Sequence, residues 1–412
     1  MTPPETPGAP PKIASGGKLS RRAEITAYTT AFFSVSLMPM TLVIVPLWAL
    51  ELGASATLIG IAAGARSLLP FLFSIHGGAL LDRLGVRRVM VFCAAASCGL
   101  ALLYPMAPLI GALIGFQVIA GFLQTMGWIG AQTQIGQLTG GQATYMGRFT
   151  FISTIANFFT PPLAGLAWDL AGAWGAFGAI SAWAGLLWIS AAAMPVPASA
   201  TIQSGPLRFR DLLPTLVDYR DAIRQAAVPA VGFVVLCSFL MNATISMRFA
   251  FLPVYLTEAG YEGATIGLFI GAAFLIGAPV ALVTGPATRA IRPQSLLLML
   301  IVLAGITIGA TPVFTGVAGL MLLTGLFGIA AGLGMALVHI LLSRAVPTHG
   351  LGKSIGLRTT ANRFSSLMIP ILMGGLVDLL GLAAGFVLTA GLVIGGVLLA
   401  SNIATRATAP QD

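Results

Sequence analysis

Twelve stretches of roughly 19 to 28 residues, nearly free of charge, follow one another through this chain. They lie near 26–50, 56–80, 89–107, 109–135, 149–171, 174–196, 229–256, 263–286, 294–314, 316–342, 355–377 and 382–402. At 1.5 Å per residue, each is long enough as a helix to cross the ~30 Å hydrocarbon core of a bilayer. Charged residues make up only 8% of the sequence, against about 25% in a soluble domain. So few charges cannot build a water-facing surface, so the solvent for most side chains is lipid. In lipid every backbone N–H and C=O must find its partner inside the segment, and runs of this length do so as helices. The 50 glycines fit that reading, because small residues let membrane helices approach closely. GxxxG spacings recur at Gly60/Gly64, Gly111/Gly115, Gly267/Gly271, Gly305/Gly309 and Gly328/Gly332. The expected fold class is an all-α polytopic membrane protein.

The polar residues fix an orientation. With the N-terminus cytoplasmic, seventeen of the 21 basic residues fall on inside segments: Lys12, Lys18, Arg21, Arg22, Arg83, Arg87, Arg88, Arg148, Arg208, Arg210, Arg220, Arg224, Arg289, Arg292, Arg344, Lys353 and Arg406. The outside loops then hold no basic residue but carry Glu51, Asp169, Glu258, Glu262 and Asp378. This is the positive-inside pattern, so the net charge of +9 is a topology signal and not a nucleic-acid footprint. Both termini are expected in the cytoplasm, and the membrane is expected to be a bacterial inner membrane. Residues 1–21 read as a disordered cytoplasmic N-terminus, with no signal-peptide cleavage pattern after them.

The one long polar stretch inside the chain, 197–228, reads as a cytoplasmic linker. It separates a six-span half at 22–196 from another at 229–403, with a cytoplasmic tail at 404–412. The halves repeat. Aligning 147–177 with 356–386 gives nine identities in 31 positions, among them Pro161/Pro370, Gly165/Gly374, Asp169/Asp378 and Gly172/Gly381. Chance at this composition gives about three. A parallel duplication of six spans places a cavity on the axis between the halves.

The segment Gly78-Ala79-Leu80-Leu81-Asp82-Arg83-Leu84-Gly85-Val86-Arg87-Arg88 lies between spans 2 and 3 on the inside. It resembles the signature loop of the major facilitator superfamily, and the twelve spans extend that resemblance over about residues 22–405. The resemblance implies two six-helix bundles related by a pseudo-twofold axis, and transport by alternating access. It also assigns Asp82, Arg83 and Arg87 to a cytoplasmic gate, with Arg358 of span 11 as an expected partner of Asp82. The equivalent loop of the second half departs from the pattern, with Arg289 at the aspartate position. In the family's drug–proton antiporters span 4 carries an arginine four residues before a glycine; here that position is Gln117, before Gly121.

Charges inside spans are costly and point to function. Arg66 lies ~16 Å below the outer end of span 2, and Arg363 ~16 Å from the inner end of span 11. Arg248 lies about two turns from the outer end of span 7. No acidic residue shares their depth. Three cations without a counter-charge suit a wet cavity holding an anion, since guanidinium forks match carboxylate, sulfonate and phosphate. Hydrogen bonds to backbone carbonyls, or bundle contacts, are the alternative for each. Gln117, Gln124 and Trp128 form a stripe on span 4, expected as a cavity wall or as glue between helices; Asn242 and Asn157 are further polar candidates. Tyr28 and Phe32 read as an aromatic lining or as packing. Glu24, His76 and His339 are candidate proton-coupling groups.

The three cysteines show neither metal spacing nor a disulfide framework, and no metal or cofactor is expected. Gly352-Lys353-Ser354 is not a phosphate loop, because Pro347 stands where its first glycine is required. No catalytic motif is found, so an enzyme is not expected. The sequence therefore predicts a monomeric secondary transporter of a small organic anion, with a proton as the expected coupling ion. Proton-coupled efflux of drugs or amphipathic metabolites is the alternative within the class; a non-transporting solute sensor of the same fold is the alternative outside it.

Overall fold

A computed structural model describes residues 20–73, 81, 83–194, 228–345 and 351–408. Among the described residues the chain is helical, with no strand. Ten helices among the described residues are long and apolar enough to cross a membrane. One of them, Ala143–Ala192, holds two spans in its 50 residues. The shorter Ala56–Ala65 helix supplies the start of another, which makes twelve spans in all.

In chain order, span 1 is Arg21–Glu51 and span 2 is Ala56–Ala65 followed by Leu68–Leu72. Span 3 is Val86–Met106, span 4 is Ile110–Thr139, and spans 5 and 6 are the two arms of Ala143–Ala192. Span 7 is Pro229–Glu258, and span 8 runs through Gly263–Val280 and Thr284–Ala290. Span 9 is Pro293–Gly309, span 10 is Val317–Ala345, span 11 is Leu351–Leu380 and span 12 is Leu382–Thr408. An even number of spans brings both chain ends to one side. We call that side terminal and the opposite one distal.

The apolar runs set these helices, and local chemistry sets their ends. The Ser20 hydroxyl accepts from the Ala23 N–H at 3.3 Å, so span 1 begins five residues before its apolar run. Spans 5 and 6 part at Gly172, where φ is +57°, and spans 11 and 12 part at Gly381, where φ is +87°. These are two of the residues that repeat between the halves, and both take a backbone that other residues rarely adopt. The expected continuous span 2 is instead broken at Arg66 and Ser67, where the Ser67 N–H turns back to the Gly64 carbonyl at 2.8 Å.

The halves meet chiefly along three pairs of spans, 1 with 7, 2 with 11, and 5 with 8, with lesser contacts of span 1 on 8 and of span 2 on 7. Two of these contacts are backbone against backbone. A Cβ at Gly60 or Gly64 would run into the carbonyls of Pro370 and Leu367, and one at Gly374 into that of Ala56. In the matching interface a Cβ at Gly267 or Gly271 would strike Pro161 and Phe158, and one at Gly165 would strike Gly263. Two of the GxxxG spacings are therefore the seams between bundles. Among the described residues spans 4 and 10, by contrast, form no extended contact with each other.

A valine at Gly374 should overpack the seam and destabilise the protein by about 1–3 kcal/mol. Gly115 has open space beyond it, so a valine there should change stability by less than about 0.5 kcal/mol. Thermal unfolding of the two purified variants in detergent checks the contrast.

Candidate functional site

A cavity of about 160 Å³ lies at middle depth between the halves. Span 1 contributes Met38, Thr41, Leu42, Val45, Pro46 and Ala49, and span 2 contributes Ile59, Ala62, Ala63, Arg66 and Ser67. Both sets step by three and four residues, the stripe that one face of a helix presents. Span 4 adds Gln117, and the second half adds Asn242, Ser246 and Phe249 of span 7 and Arg363, Ser366 and Pro370 of span 11. Among the described residues no aspartate or glutamate lines it.

Arg66 and Arg363 thus face one cavity, one from each half. Among the described residues neither side chain makes a hydrogen bond or an ion pair. Arg66 sits at the break in span 2. Its carbonyl is pressed against Gly121 of span 4, where any Cβ would collide with it. Irregular backbone at membrane depth is tolerated where it lines a cavity, as it does here. One turn away, the Gln117 amide donates to the Tyr104 hydroxyl at 3.0 Å. Tyr104 in turn stacks on Phe177, ring centroids 4.6 Å apart. The wall behind Arg66 is therefore firmly held.

The opposite wall is a neutral polar ladder between spans 7 and 11. Asn242 Nδ2 donates to the Asn362 carbonyl and to the Ser366 hydroxyl, both at 2.8 Å. The Ser246 hydroxyl donates to Ser366 Oγ at 3.1 Å, and Ser238 donates to Asn362 Oδ1 at 2.8 Å. Asn362, Ser246 and Ser366 escaped the sequence reading. Their signal was Asn242 followed by Ser246, and Asn362 followed by Ser366, each pair one helical turn apart.

Other expected site residues lie elsewhere. Arg248 is turned away from the cavity and is only 2% exposed. Its Nη2 donates to Thr324 Oγ1 at 2.6 Å, and its guanidinium lies 4.7 Å from the centre of the Phe327 ring. The reason is rotation: Arg248 is about 120° around span 7 from Asn242 at 100° per residue. Gln124 lines a small adjoining void and donates to Thr41 Oγ1 at 3.5 Å. Trp128 is 44% exposed, further towards the terminal side on the same stripe, and does not line the cavity. Asn157 is also off the cavity, its Oδ1 buried without a partner among the described residues. Phe32 packs with Phe33 and Trp183, and the Tyr28 hydroxyl donates to the Tyr145 carbonyl at 3.3 Å; neither residue lines the cavity.

The candidate coupling and gating groups divide in the same way. Glu24 is paired with Arg148 at 2.5 Å near the terminal side, remote from the cavity. His339 is exposed on span 10, with Nδ1 2.6 Å from the Met335 carbonyl. Arg87 Nη2 donates to the Ala192 carbonyl at the end of span 6, 2.5 Å away, a bond within the first half. Arg358 is buried on span 11, and its Nε has no partner among the described residues. Arg83 makes contacts of its own. His76 and Asp82 lie outside the described residues, and with them the expected pairing of Asp82 with Arg358.

The model of the Major Facilitator Superfamily matches residues 26–317, well over half of the chain. This chain belongs to the major facilitator superfamily. No curated protein is matched by sequence. Solved structures share its fold. A point mutant of the nucleoside transporter NupG superposes with a TM-score of 0.80 at 13% identity, covering 92% of this chain and 99% of that one. A bacterial homologue of the human lysosomal transporter Spinster, inward-facing and unoccupied, gives 0.71 at 14% identity over 96% of this chain and 100% of its own. The human organic anion transporter MFSD10 (TETRAN) gives 0.58 at 16% identity, covering 93% and 100%. The fold is that of a secondary transporter, with two bundles around a central cavity.

Gly121→Ala should force the Arg66 carbonyl out of its seat, at a cost of about 1–3 kcal/mol. A melting temperature equal to that of the unaltered protein would contradict the close approach.

Proposed function

We propose that this transporter carries a small organic anion across the membrane by alternating access, with both termini in the cytoplasm. One observation carries the reading: two guanidiniums from opposite halves face a cavity lined, among the described residues, by no acidic residue. An ion buried without a partner costs several kcal/mol even after relaxation, so a cavity of this kind favours a solute that brings negative charge. Each guanidinium offers a planar fork that fits a carboxylate or a phosphoryl group. The neutral ladder of Asn242, Ser246 and Ser366 can serve the hydroxyl or carbonyl groups of the solute, and Leu42, Val45, Ile59 and Phe249 its apolar part. That MFSD10, of the same fold, is an organic anion transporter is consistent with this reading.

A cationic drug is a poor fit, since such a cargo needs an acid where this cavity has two arginines. The positive-inside distribution of Arg83, Arg87, Arg88 and Arg148 supports the orientation. The proton remains the expected coupling ion, though neither Glu24 nor His339 lies on the cavity wall.

The purified protein should be stabilised in a thermal-shift screen by members of a panel of monocarboxylates, dicarboxylates and phosphate monoesters, and not by organic cations. In proteoliposomes Arg66→Ala and Arg363→Ala should each lower uptake of the best anion by about tenfold or more, the loss of one charge-assisted hydrogen bond. Arg248→Met should weaken the fold while leaving the apparent KM within about threefold, because the side chain bonds to Thr324 and not to cargo. Uptake undiminished in both cavity variants would refute the anion site.

A further inference from the structure

Asp169 and Asp378 are the same residue of the repeat, at the distal ends of spans 5 and 11. Each reaches into the other half of the molecule. Asp378 Oδ1 accepts from the Ala56 N–H at 2.8 Å and its Oδ2 from the Thr57 N–H at 2.9 Å, at the start of span 2. Asp169 does the same at the start of span 8, accepting from Gly263 N–H at 2.7 Å and Ala264 N–H at 2.8 Å. Two free N–H groups and the positive end of a helix dipole are what a carboxylate at this place can satisfy. Below each carboxylate runs one of the two glycine seams, Gly374 with Gly60 and Gly64, and Gly165 with Gly267 and Gly271. The two fastenings are therefore twofold copies, and both hold the distal side shut.

They differ in what their helices carry. The pair fastened by Asp378 bears both cavity arginines, Arg66 on span 2 and Arg363 on span 11. The pair fastened by Asp169 contributes no residue to the cavity. Both arginines face one cavity whose described lining has no acid, so their like charges repel and push spans 2 and 11 apart. Spans 5 and 8 place no such pair of like charges in the cavity.

We infer that Asp169 and Asp378 are paired latches of the distal gate, and that only the Asp378 latch is loaded, by repulsion between Arg66 and Arg363. Asp378 is on this view a positioning residue: it holds the two guanidiniums at binding distance against their own repulsion. Neutralising that repulsion, as a bound anion would, lets the latch hold with less opposition. Occupancy of the cavity and closure of the distal side are thereby coupled. The inference takes the cavity described above as the central site of the carrier, and its test needs no cargo.

Ala49 lines the cavity near the distal end of span 1 and is 1% exposed, which makes it a reporter position. In a chain with Cys93, Cys98 and Cys237 replaced by serine, Ala49→Cys is treated with a membrane-impermeant maleimide in right-side-out and inside-out vesicles. Asp169→Asn should raise the rate of labelling from the distal side, and Asp378→Asn should raise it further, by about tenfold or more over the parent, as for one lost charge-assisted bond. Labelling from the terminal side should fall in step. Adding Arg66→Gln should reverse most of the effect of Asp378→Asn and leave that of Asp169→Asn unchanged, a non-additivity confined to one latch. Asp378→Glu should restore part of the parent rate, which separates a lost carboxylate from a damaged fold. Parent-like labelling in Asp378→Asn would overturn the latch. An equal response of both aspartate variants to Arg66→Gln would overturn its loading. Anion uptake surviving Arg66→Ala would instead defeat the cargo reading, whatever the labelling rates.

Discussion

Close backbone contact between the two halves is the constraint on which the rest of this structure depends. In a bilayer the hydrophobic effect does not hold helix to helix, because lipid tails are as apolar as leucine. Attraction must come from tight packing and from polar contacts. Gly60, Gly64 and Gly374 at one seam, and Gly165, Gly267 and Gly271 at the other, strip away the side chains that would keep spans 2 and 11, and 5 and 8, apart. The seams give the halves a defined relation on the distal side. Among the described residues spans 4 and 10 form no comparable seam. The cavity lies between the halves, lined by spans 1, 2, 4, 7 and 11.

The cavity draws its chemistry from both halves. Arg66 hangs from a break in span 2 seated on Gly121, and Arg363 from the matching side of span 11. Neither would meet the other in an isolated bundle. The seam that brings their helices together also fixes how far apart the charges stand, so packing and electrostatics are set by one interface. The firm hydrogen bonds around it, Gln117 to Tyr104 and Asn242 to Ser366, hold the walls and leave the guanidiniums as the groups without partners. A rigid wall with two free forks is a preorganised site, in which ordering the protein is already accomplished before cargo arrives.

Much of the fold was legible because membrane helices announce themselves. Long uncharged runs, the sidedness of the arginines and the repeat from Gly147 to Phe177 depend only on local composition and order. Part of the site was legible for a related reason: a charge in an apolar run, such as Arg66 or Arg363, stands out whatever the tertiary structure. Arg248 stands out equally, yet it belongs to the interior of the second bundle, bonded to Thr324 and facing Phe327. Depth can be counted along a sequence. Facing needs a reference side chain, and Asn242 supplies one only once the cavity is seen.

The sequence alone determined the solvent, the twelve spans, the duplication and the residues whose burial would be costly. Each of these follows from side-chain chemistry read along one helix at a time. The tertiary structure alone decided which helices touch. It made two of several GxxxG spacings into seams, broke span 2 at Arg66, and placed Asp169 and Asp378 on the first amide groups of helices about a hundred and about three hundred residues away in the chain. Contacts between segments so far apart leave no local trace, because the partner of a carboxylate is here a backbone N–H, which every residue but proline possesses.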